Sequence, residues 1–168
     1  KILGCSAMTV TRAFRQLEQT GLFEIGKTGV QKYLKGKEEG DVLLKQLGDA
    51  LITPVAETIY VNRKELEEKT KTTERFFSGC SALAQMGREA EEEIPCYAVN
   101  KKTCCLSGSR DFLNAETQVE VQLWKYDPAV LANDGRVDPL SLALCLRKPL
   151  EEFILPASDS ASADEKND

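Results

Sequence analysis

The sequence predicts a mixed α+β protein, and three observations lead to that prediction. Apolar residues near the N-terminus recur at offsets 0, 3, 4 and 7, the spacing of one helix face: Val10, Ala13, Phe14 and Leu17. Between residues 119 and 124 apolar and polar side chains alternate, which is typical of a strand with one apolar face. Beyond residue 40 the predicted elements follow in the order helix, strand, helix, strands, helix, which favours a small α/β or α+β domain.

The first predicted element is a helix with well-marked ends. Ser6 is a favourable N-cap residue, and Gly21 is a favourable C-terminal stop. Leu22–Ile25 and Val30–Leu34 are short β-prone runs, and we expect Gly26–Gly29 to form the turn between them because its two glycines can supply positive φ angles. Residues 6–34 therefore predict a helix followed by a β-hairpin.

A charged, glycine-containing linker is predicted at residues 35–40. Asp41 predicts the start of a helix that runs to Leu51, because Pro54 follows shortly after it. A strand is expected at Thr58–Val61. These elements open the second predicted domain.

The rest of the second domain alternates between exposed and apolar segments. Arg63–Lys71 is so highly charged that we expect it on the surface. Phe76–Gly87 predicts a helix with small residues on its early turns, and Cys96–Val99 predicts a strand. Asp138 followed by Pro139 predicts the start of a leucine-rich helix through Leu146.

Composition sets the limits of the prediction. The chain has 168 residues, of which 42% are apolar and 29% charged, ordinary values for a globular protein with one large core or two small ones. No run approaches 18 apolar residues and no secretory leader opens the sequence, so we expect a cytoplasmic protein without a membrane partner. Because Lys1 is not a methionine and residues 2–4 resemble a helix end, we expect a fragment of a longer protein.

Charge divides the chain into a basic head and an acidic body. Residues 1–37 hold seven Lys/Arg and two Asp/Glu, a net charge of +5, and the remaining residues hold 15 Lys/Arg and 25 Asp/Glu, a net charge of −10. A basic segment indicates a surface for phosphates, although a chance asymmetry of solvated charges is the alternative. The predicted domains are residues 1–37, residues 38–155 and a disordered polar tail at residues 156–168.

The segment S-A-M-T-V-T-R-A-F-R-Q-L-E-Q-T-G-L-F, residues 6–23, resembles winged helix-turn-helix transcription regulators of the MarR group. The resemblance implies a partial winged helix-turn-helix, in which Gly4–Ser6 is the turn, the helix enters the DNA major groove and the hairpin is the wing. It covers about a fifth of the chain, and the helices that normally precede the turn are not in this sequence.

Carried over by position, the resemblance implies a DNA-binding set on the helix and the wing. Arg12 is the candidate for a base-edge contact, since a guanidinium can bond guanine in bidentate fashion. The other members are expected at the groove-facing helix start or at phosphates: Ser6, Ala7, Met8, Thr9, Thr11, Arg15, Lys27, Thr28, Gln31 and Lys32. The alternative is that Arg12 and Arg15 only solvate an exposed helix face.

Three short features of the second domain resemble the region that follows the winged helix in AbiEi-type antitoxin regulators: Pro54-Val55, Ser78–Leu83 and the helix after Asp138-Pro139. This resemblance keeps open the alternative of an interaction protein in a toxin-antitoxin pair.

Enzymatic chemistry is constrained by the absence of histidine from the whole sequence, which excludes serine triads, Cys-His dyads and most catalytic zinc sites. The six cysteines form no C-x-x-C pair, so we expect reduced thiols and no metal or cofactor. The remaining enzyme alternative is a metal-dependent nuclease whose ligands would be Asp111, Glu120 and Gln122.

The sequence-based conclusion is a non-enzymatic, bacterial-type transcriptional regulator that binds double-stranded DNA. We expect it to act as a homodimer, and we expect the acidic domain to mediate dimerisation, sensing of a small-molecule effector or binding of a partner protein.

Overall fold

The structure, a computed structural model, describes residues 5–71, 74–91 and 93–148. It has the mixed α+β fold that the sequence predicts. The chain divides into two compact units between Ile52 and Thr53. None of the helices in the described ranges has the length and apolar character needed to cross a membrane. The predicted tail at residues 156–168 lies outside the described residues.

The first unit opens with helix α1, Ala7–Gln19, as predicted. The Ser6 hydroxyl accepts a hydrogen bond of 3.1 Å from the backbone N–H of Thr9, so Ser6 is the N-cap. The chain leaves the helix at Gly21, whose φ of +79° lies in the left-handed region. Both ends of α1 are therefore set by the residues that the sequence indicates.

A β-hairpin follows, formed by β1, Phe23–Thr28, and β2, Gln31–Gly36. Its turn is Gly29-Val30, because Thr28 pairs with Gln31, and the predicted turn at Gly26–Gly29 is wrong. Gly26 lies inside β1, where a Cβ atom would come within 2.3 Å of the Tyr33 ring. That glycine makes room for a cross-strand tyrosine, and only Gly29 serves the turn.

Helix α2 spans Gly40–Leu47 and continues into a 3-10 turn, Gly48–Ala50. The prediction of a helix from Asp41 to Leu51 is wrong in its ends: the N-cap position is Glu39, and Gly48, with φ of +30°, ends the α-helix. The unit boundary falls after α2, whereas the sequence-based domain limit at residue 37 falls before it.

The second unit is built on a four-stranded sheet in the order β3-β6-β5-β4. Only the central pair, β5 with β6, is parallel; the two outer pairs are antiparallel. The strands are β3 (Val55–Asn62), β4 (Arg75–Phe77), β5 (Cys96–Asn100) and β6 (Gln118–Trp124). The predicted strands at 58–61, 96–99 and 119–124 are thus confirmed.

Within the described ranges three α-helices accompany this sheet: α3 (Arg63–Lys69), α4 (Gly79–Gln85) and α5 (Pro139–Leu146). Helix α5 is confirmed, and Asp138 caps it by accepting from the Ser141 N–H at 2.9 Å. The predicted helix Phe76–Gly87 is wrong in its first part, because Phe76 and Phe77 pair with β5 and the helix begins only at Gly79. The charged segment after Asn62 contains a helix that the sequence did not predict.

The core lies on both faces of the sheet. One cluster joins Trp124 and Ala98 to Leu142 of α5 and Leu83 of α4. The other joins Val121 and the remaining inward residues of that face to Leu66 of α3. Strand β6 is therefore covered on both sides, as expected for a central strand, and the face opposite its apolar one carries a buried Gln122.

Candidate nucleic-acid interface

All eleven residues predicted to contact DNA belong to the first unit, and every one of them is exposed. Four lie on one face of α1, at offsets 0, 3, 4 and 7: Met8, Thr11, Arg12 and Arg15. They line an open depression of about 320 Å³, which we call the α1 basic face. The structure thus brings Arg12 and Arg15 together with an exposed apolar side chain, Met8, and a threonine.

The hydroxyl groups at the start of α1 are partly used by the helix itself. Ser6 Oγ lies 2.8 Å from Thr9 Oγ1 and caps the helix. Thr11 Oγ1 donates to the carbonyl oxygen of Ala7 at 2.9 Å, so its donor is engaged while its oxygen can still accept. The arginines are consequently the main donors that this face offers to a ligand.

The hairpin places its four predicted contact residues in two cross-strand pairs. Lys27 lies directly opposite Lys32, and Thr28 directly opposite Gln31, next to the turn. Val30 at the tip is fully exposed. Directly opposed lysines repel each other, so this pair weakens the isolated hairpin and would be relieved by an anion.

The face that carries the lysine pair is otherwise apolar. Phe23 and Ile25 alternate with Glu24 along β1, so they share a face with Lys27. Leu34, the partner of Ile25 on β2, lies on the same face, and Phe23, Ile25 and Leu34 are all half-buried. On the opposite face Glu24 forms an exposed ion pair with Lys35 at 3.7 Å. Within the described part of the chain, no acidic side chain forms such a pair with Lys27 or Lys32, nor with Arg12 or Arg15.

A second polar site lies in the second unit, on the sheet face that α4 and α5 cover. Glu120 on β6 stands between Tyr60 on β3 and Cys96 on β5, since both are its cross-strand partners. Its Oε1 atom accepts from the Cys96 thiol at 3.4 Å and from Gln122 Nε2 at 3.2 Å. These residues lie around an open cavity of about 240 Å³, which we call the Glu120 cavity.

Buried hydrogen bonds fix the floor of this cavity. The Ser78 hydroxyl donates to Gln122 Oε1 at 2.7 Å, and Trp124 Nε1 donates to the same oxygen at 3.4 Å. Burial, and then the neighbouring Glu120 carboxylate, raise the pKa of the Cys96 thiol well above its ordinary value, so this cysteine is a neutral donor and a poor nucleophile.

The nuclease alternative placed metal ligands at Asp111, Glu120 and Gln122. Glu120 and Gln122 do share the cavity, but Asp111 is not among its described lining residues, and Gln122 is occupied by Ser78 and Trp124. Across the described ranges no group of three or more Cys, Asp or Glu side chains is placed to hold a metal ion.

Sequence reasoning found the α1 basic face because helical spacing alone gathers its residues. It missed the cavity as a whole, whose lining comes from positions between residues 60 and 146 and depends on the strand order. The only available signal was the E-x-Q pair on β6.

Comparison of the chain with protein-family models, curated proteins and solved structures gives no match.

Proposed function

We propose that this chain is a DNA-binding transcriptional regulator whose reading surface is the α1 basic face together with the β1-β2 wing. The observation that supports this most directly is the gathering of Arg12 and Arg15 with Met8 and Thr11 in one open depression. An exposed helix face with two arginines suits the DNA major groove, where guanidinium groups bond guanine and apolar groups contact the thymine methyl.

The wing supports the same proposal through its electrostatics. Lys27 and Lys32 are held opposite each other at a cost in hairpin stability, and a phosphate near both would convert that cost into attraction. Thr28 and Gln31, the next cross-strand pair toward the turn, add neutral hydrogen-bonding groups on the other face of the hairpin. In this proposal the wing positions the protein on the backbone, and the helix reads sequence.

The regulator is proposed to work in the cytoplasm as a homodimer, with the acidic second unit as its sensing or partner-binding part. A dimer would place two reading surfaces on two half-sites, as helix-turn-helix proteins generally do.

The test is duplex binding by the full chain, measured by fluorescence anisotropy over a range of salt concentrations. We expect saturable binding whose logarithm falls linearly with the logarithm of salt concentration. The double variant Arg12→Ala/Lys32→Ala should weaken binding by roughly thirtyfold or more, since two charge-assisted contacts of about 1–3 kcal/mol each are lost.

The matched control is Arg63→Ala/Lys102→Ala, which removes one arginine and one lysine from exposed positions of the second unit. This control should bind duplex DNA like the unaltered chain. Equal binding by the two double variants would refute the proposed surface, and no binding by the unaltered chain to a randomised duplex pool would refute the function.

A further inference from the structure

The Glu120 cavity has the properties of a small-molecule site. Its volume of about 240 Å³ corresponds to roughly eight waters at liquid density. Its walls include residues of three strands, of α4 and of the end of α5. The cavity is therefore formed by the folded sheet and its helices, not by a single surface loop. Most ligand sites of this kind combine apolar walls with a few fixed polar groups.

The charged side chains among the described lining residues of this cavity are all acidic. Glu120 lies on the floor, Glu91 and Glu93 line the rim, and no lysine or arginine is among the described lining residues. The Glu120 carboxylate accepts two hydrogen bonds from neutral donors, and none of the described ion pairs includes it. Among the residues that the structure describes, no cation pairs with this negative charge.

The effect of this charge is seen at Tyr60. Burial, followed by the Glu120 carboxylate and with a smaller contribution from Glu93, raises the pKa of the Tyr60 hydroxyl. Both carboxylates therefore disfavour a negative charge at the Tyr60 hydroxyl, and a positive group beside that hydroxyl would be attracted by both.

Aromatic rings form one wall of the same cavity. Tyr60 and Phe112 both line it, and their ring centroids lie 5.4 Å apart with an interplanar angle of 44°. Ile94 and Leu146 add apolar surface. Aromatic faces next to carboxylates attract organic cations through the ring quadrupole, and they also pack against the carbon skeleton of such cations. A metal ion has no carbon skeleton and is bound by oxygen ligands, so an aromatic wall favours an organic cation.

We propose that the Glu120 cavity binds a small organic cation that carries a guanidinium or alkylammonium group, with Glu120 as its charge partner and with Tyr60 and Phe112 beside its carbon skeleton. This inference depends only on the second unit. It stands or falls separately from DNA binding by the first unit.

The chain contains its own reporter for this test. Trp124 is the single tryptophan, it is fully buried, and its Nε1–H bonds to Gln122, which in turn donates to Glu120. A cation that binds at Glu120 should therefore change the intrinsic fluorescence of the full chain. Calorimetric titration gives an independent measurement of the same binding.

The probes are methylguanidinium and butylammonium, with N-methylurea and butanol as uncharged counterparts, at constant ionic strength. We expect saturable binding of at least one cation and none of its neutral counterpart. A capped Gly-Arg-Gly peptide tests whether the cationic group comes from a small molecule or from a protein side chain. Binding of the free cation supports the proposal. Binding of the peptide alone would show that a protein side chain is the occupant and would overturn the proposal.

Glu120→Gln removes the charge but keeps an oxygen that can accept from Cys96 and Gln122. It should weaken cation binding by roughly tenfold or more. Glu116→Gln, the same change at an exposed glutamate outside the cavity, should leave binding unchanged. If Glu120→Gln does not fold, Phe112→Leu serves instead, because Phe112 is 40% exposed on a loop, and it should weaken binding about twofold to thirtyfold.

Equal binding of cation and neutral counterpart, or unchanged binding by both variants, would overturn the proposal. The DNA-binding titration of the same preparations is read separately, so that a failure of one proposal is not mistaken for a failure of the other.

Discussion

In the second unit Trp124 and Leu142 are completely buried, whereas no described residue of the first unit, residues 5–52, reaches that degree of burial. Even the predicted core side of α1 is only half-buried, and Val10 is 39% exposed. The first unit is held by local devices: an N-cap, a glycine stop and a two-residue hairpin turn. The second unit is held by packing between distant segments.

The two units also differ in net charge, although less than the division of the sequence at residue 37 suggests. The first unit as the structure defines it, residues 1–52, contains eight Lys/Arg and six Asp/Glu, a net charge of +2. The acidic residues added by the segment around α2 account for the decrease from +5. Positive charge is thus concentrated on the α1 basic face and the wing, so the proposed reading surface is a local feature of the unit.

The largest expected effect concerns the core of the second unit. Leu142→Ala should lower the free energy of unfolding of that unit by roughly 2–5 kcal/mol, because it leaves a cavity beside Trp124. Urea denaturation followed by Trp124 fluorescence measures it. Leu131→Ala, at a side chain that is 54% exposed, should change the same quantity by about 0.5 kcal/mol or less. Similar losses in both variants would show that the core does not carry the stability of this unit.

The second prediction concerns the stability of the second unit at alkaline pH. Burial raises the pKa of the Cys145 thiol to about 12 from an ordinary value near 9, so the folded state keeps a proton that the unfolded state loses. Stability should therefore be complete below about pH 9 and should fall between pH 9 and 12, by up to about 1.4 kcal/mol per pH unit for this thiol. Denaturant midpoints between pH 8 and 10.5 measure the slope, which should be shallower in Cys145→Ala. A slope unchanged by that substitution would assign the effect to other groups.

The third prediction compares the contribution of a helix N-cap in the two units. Ser6 and Asp138 cap α1 and α5 through hydrogen bonds of 3.1 and 2.9 Å, and either change to alanine should cost about 1 kcal/mol. In the second unit the core should keep α5 folded, whereas α1, which has no buried residue, should fray. Far-ultraviolet circular dichroism should show a loss of helix in Ser6→Ala and little change in Asp138→Ala. The opposite order would mean that α1 has more tertiary support than its exposure indicates.

The smallest expected effect is at the wing, where one substitution should change hairpin stability and DNA binding in opposite directions. Lys32→Glu would place a carboxylate opposite Lys27 and should stabilise the hairpin by about 0.2–1 kcal/mol, since opposite charges replace like charges. The same change should weaken duplex binding. Lys37→Glu makes the same change at an exposed position just after β2 and serves as the control in both assays. A variant that gained affinity together with stability would remove the wing from the proposed interface.

Local chemistry explains how much of the fold the sequence predicted. Helices α1 and α5 were found because capping residues and stops lie within a few residues of the apolar pattern. The hairpin turn was misplaced since Gly26 and Gly29 look equivalent in sequence, and only the packing of Tyr33 against the first shows their different roles.

Helix α3 was missed for a different reason. Its single buried apolar residue, Leu66, produces no periodic pattern. The local signs of a helix start were the Asn62 cap, which accepts from the Lys64 N–H, and Glu65 in the first turn. The helix proposed from Phe76 began too early because strand pairing with β5 overrides the helical preference of the segment. Tertiary contacts decided both cases, and these contacts are not visible in a short sequence window.

The candidate sites divide in the same way. The residues of the α1 basic face follow from helix periodicity, so the sequence could gather them. Glu120 and Cys96 become neighbours only through the parallel pairing of β5 with β6, which no sequence pattern specified. Recognition of a site from sequence thus depended on whether one element or several elements build it.

The strand order has a consequence for synthesis of this chain on the ribosome. Strand β3 is complete at residue 62, but its partner β6 ends only at residue 124, about 62 residues later. At roughly 5–20 residues per second this interval lasts about 3–12 s, during which the edge of β3 that later pairs with β6 is unpaired. The first unit needs no later segment for its hairpin, so it can fold during that interval. The newly made protein would therefore present its basic surface before its acidic unit is folded, and the nascent chain would be most prone to aggregation in that interval.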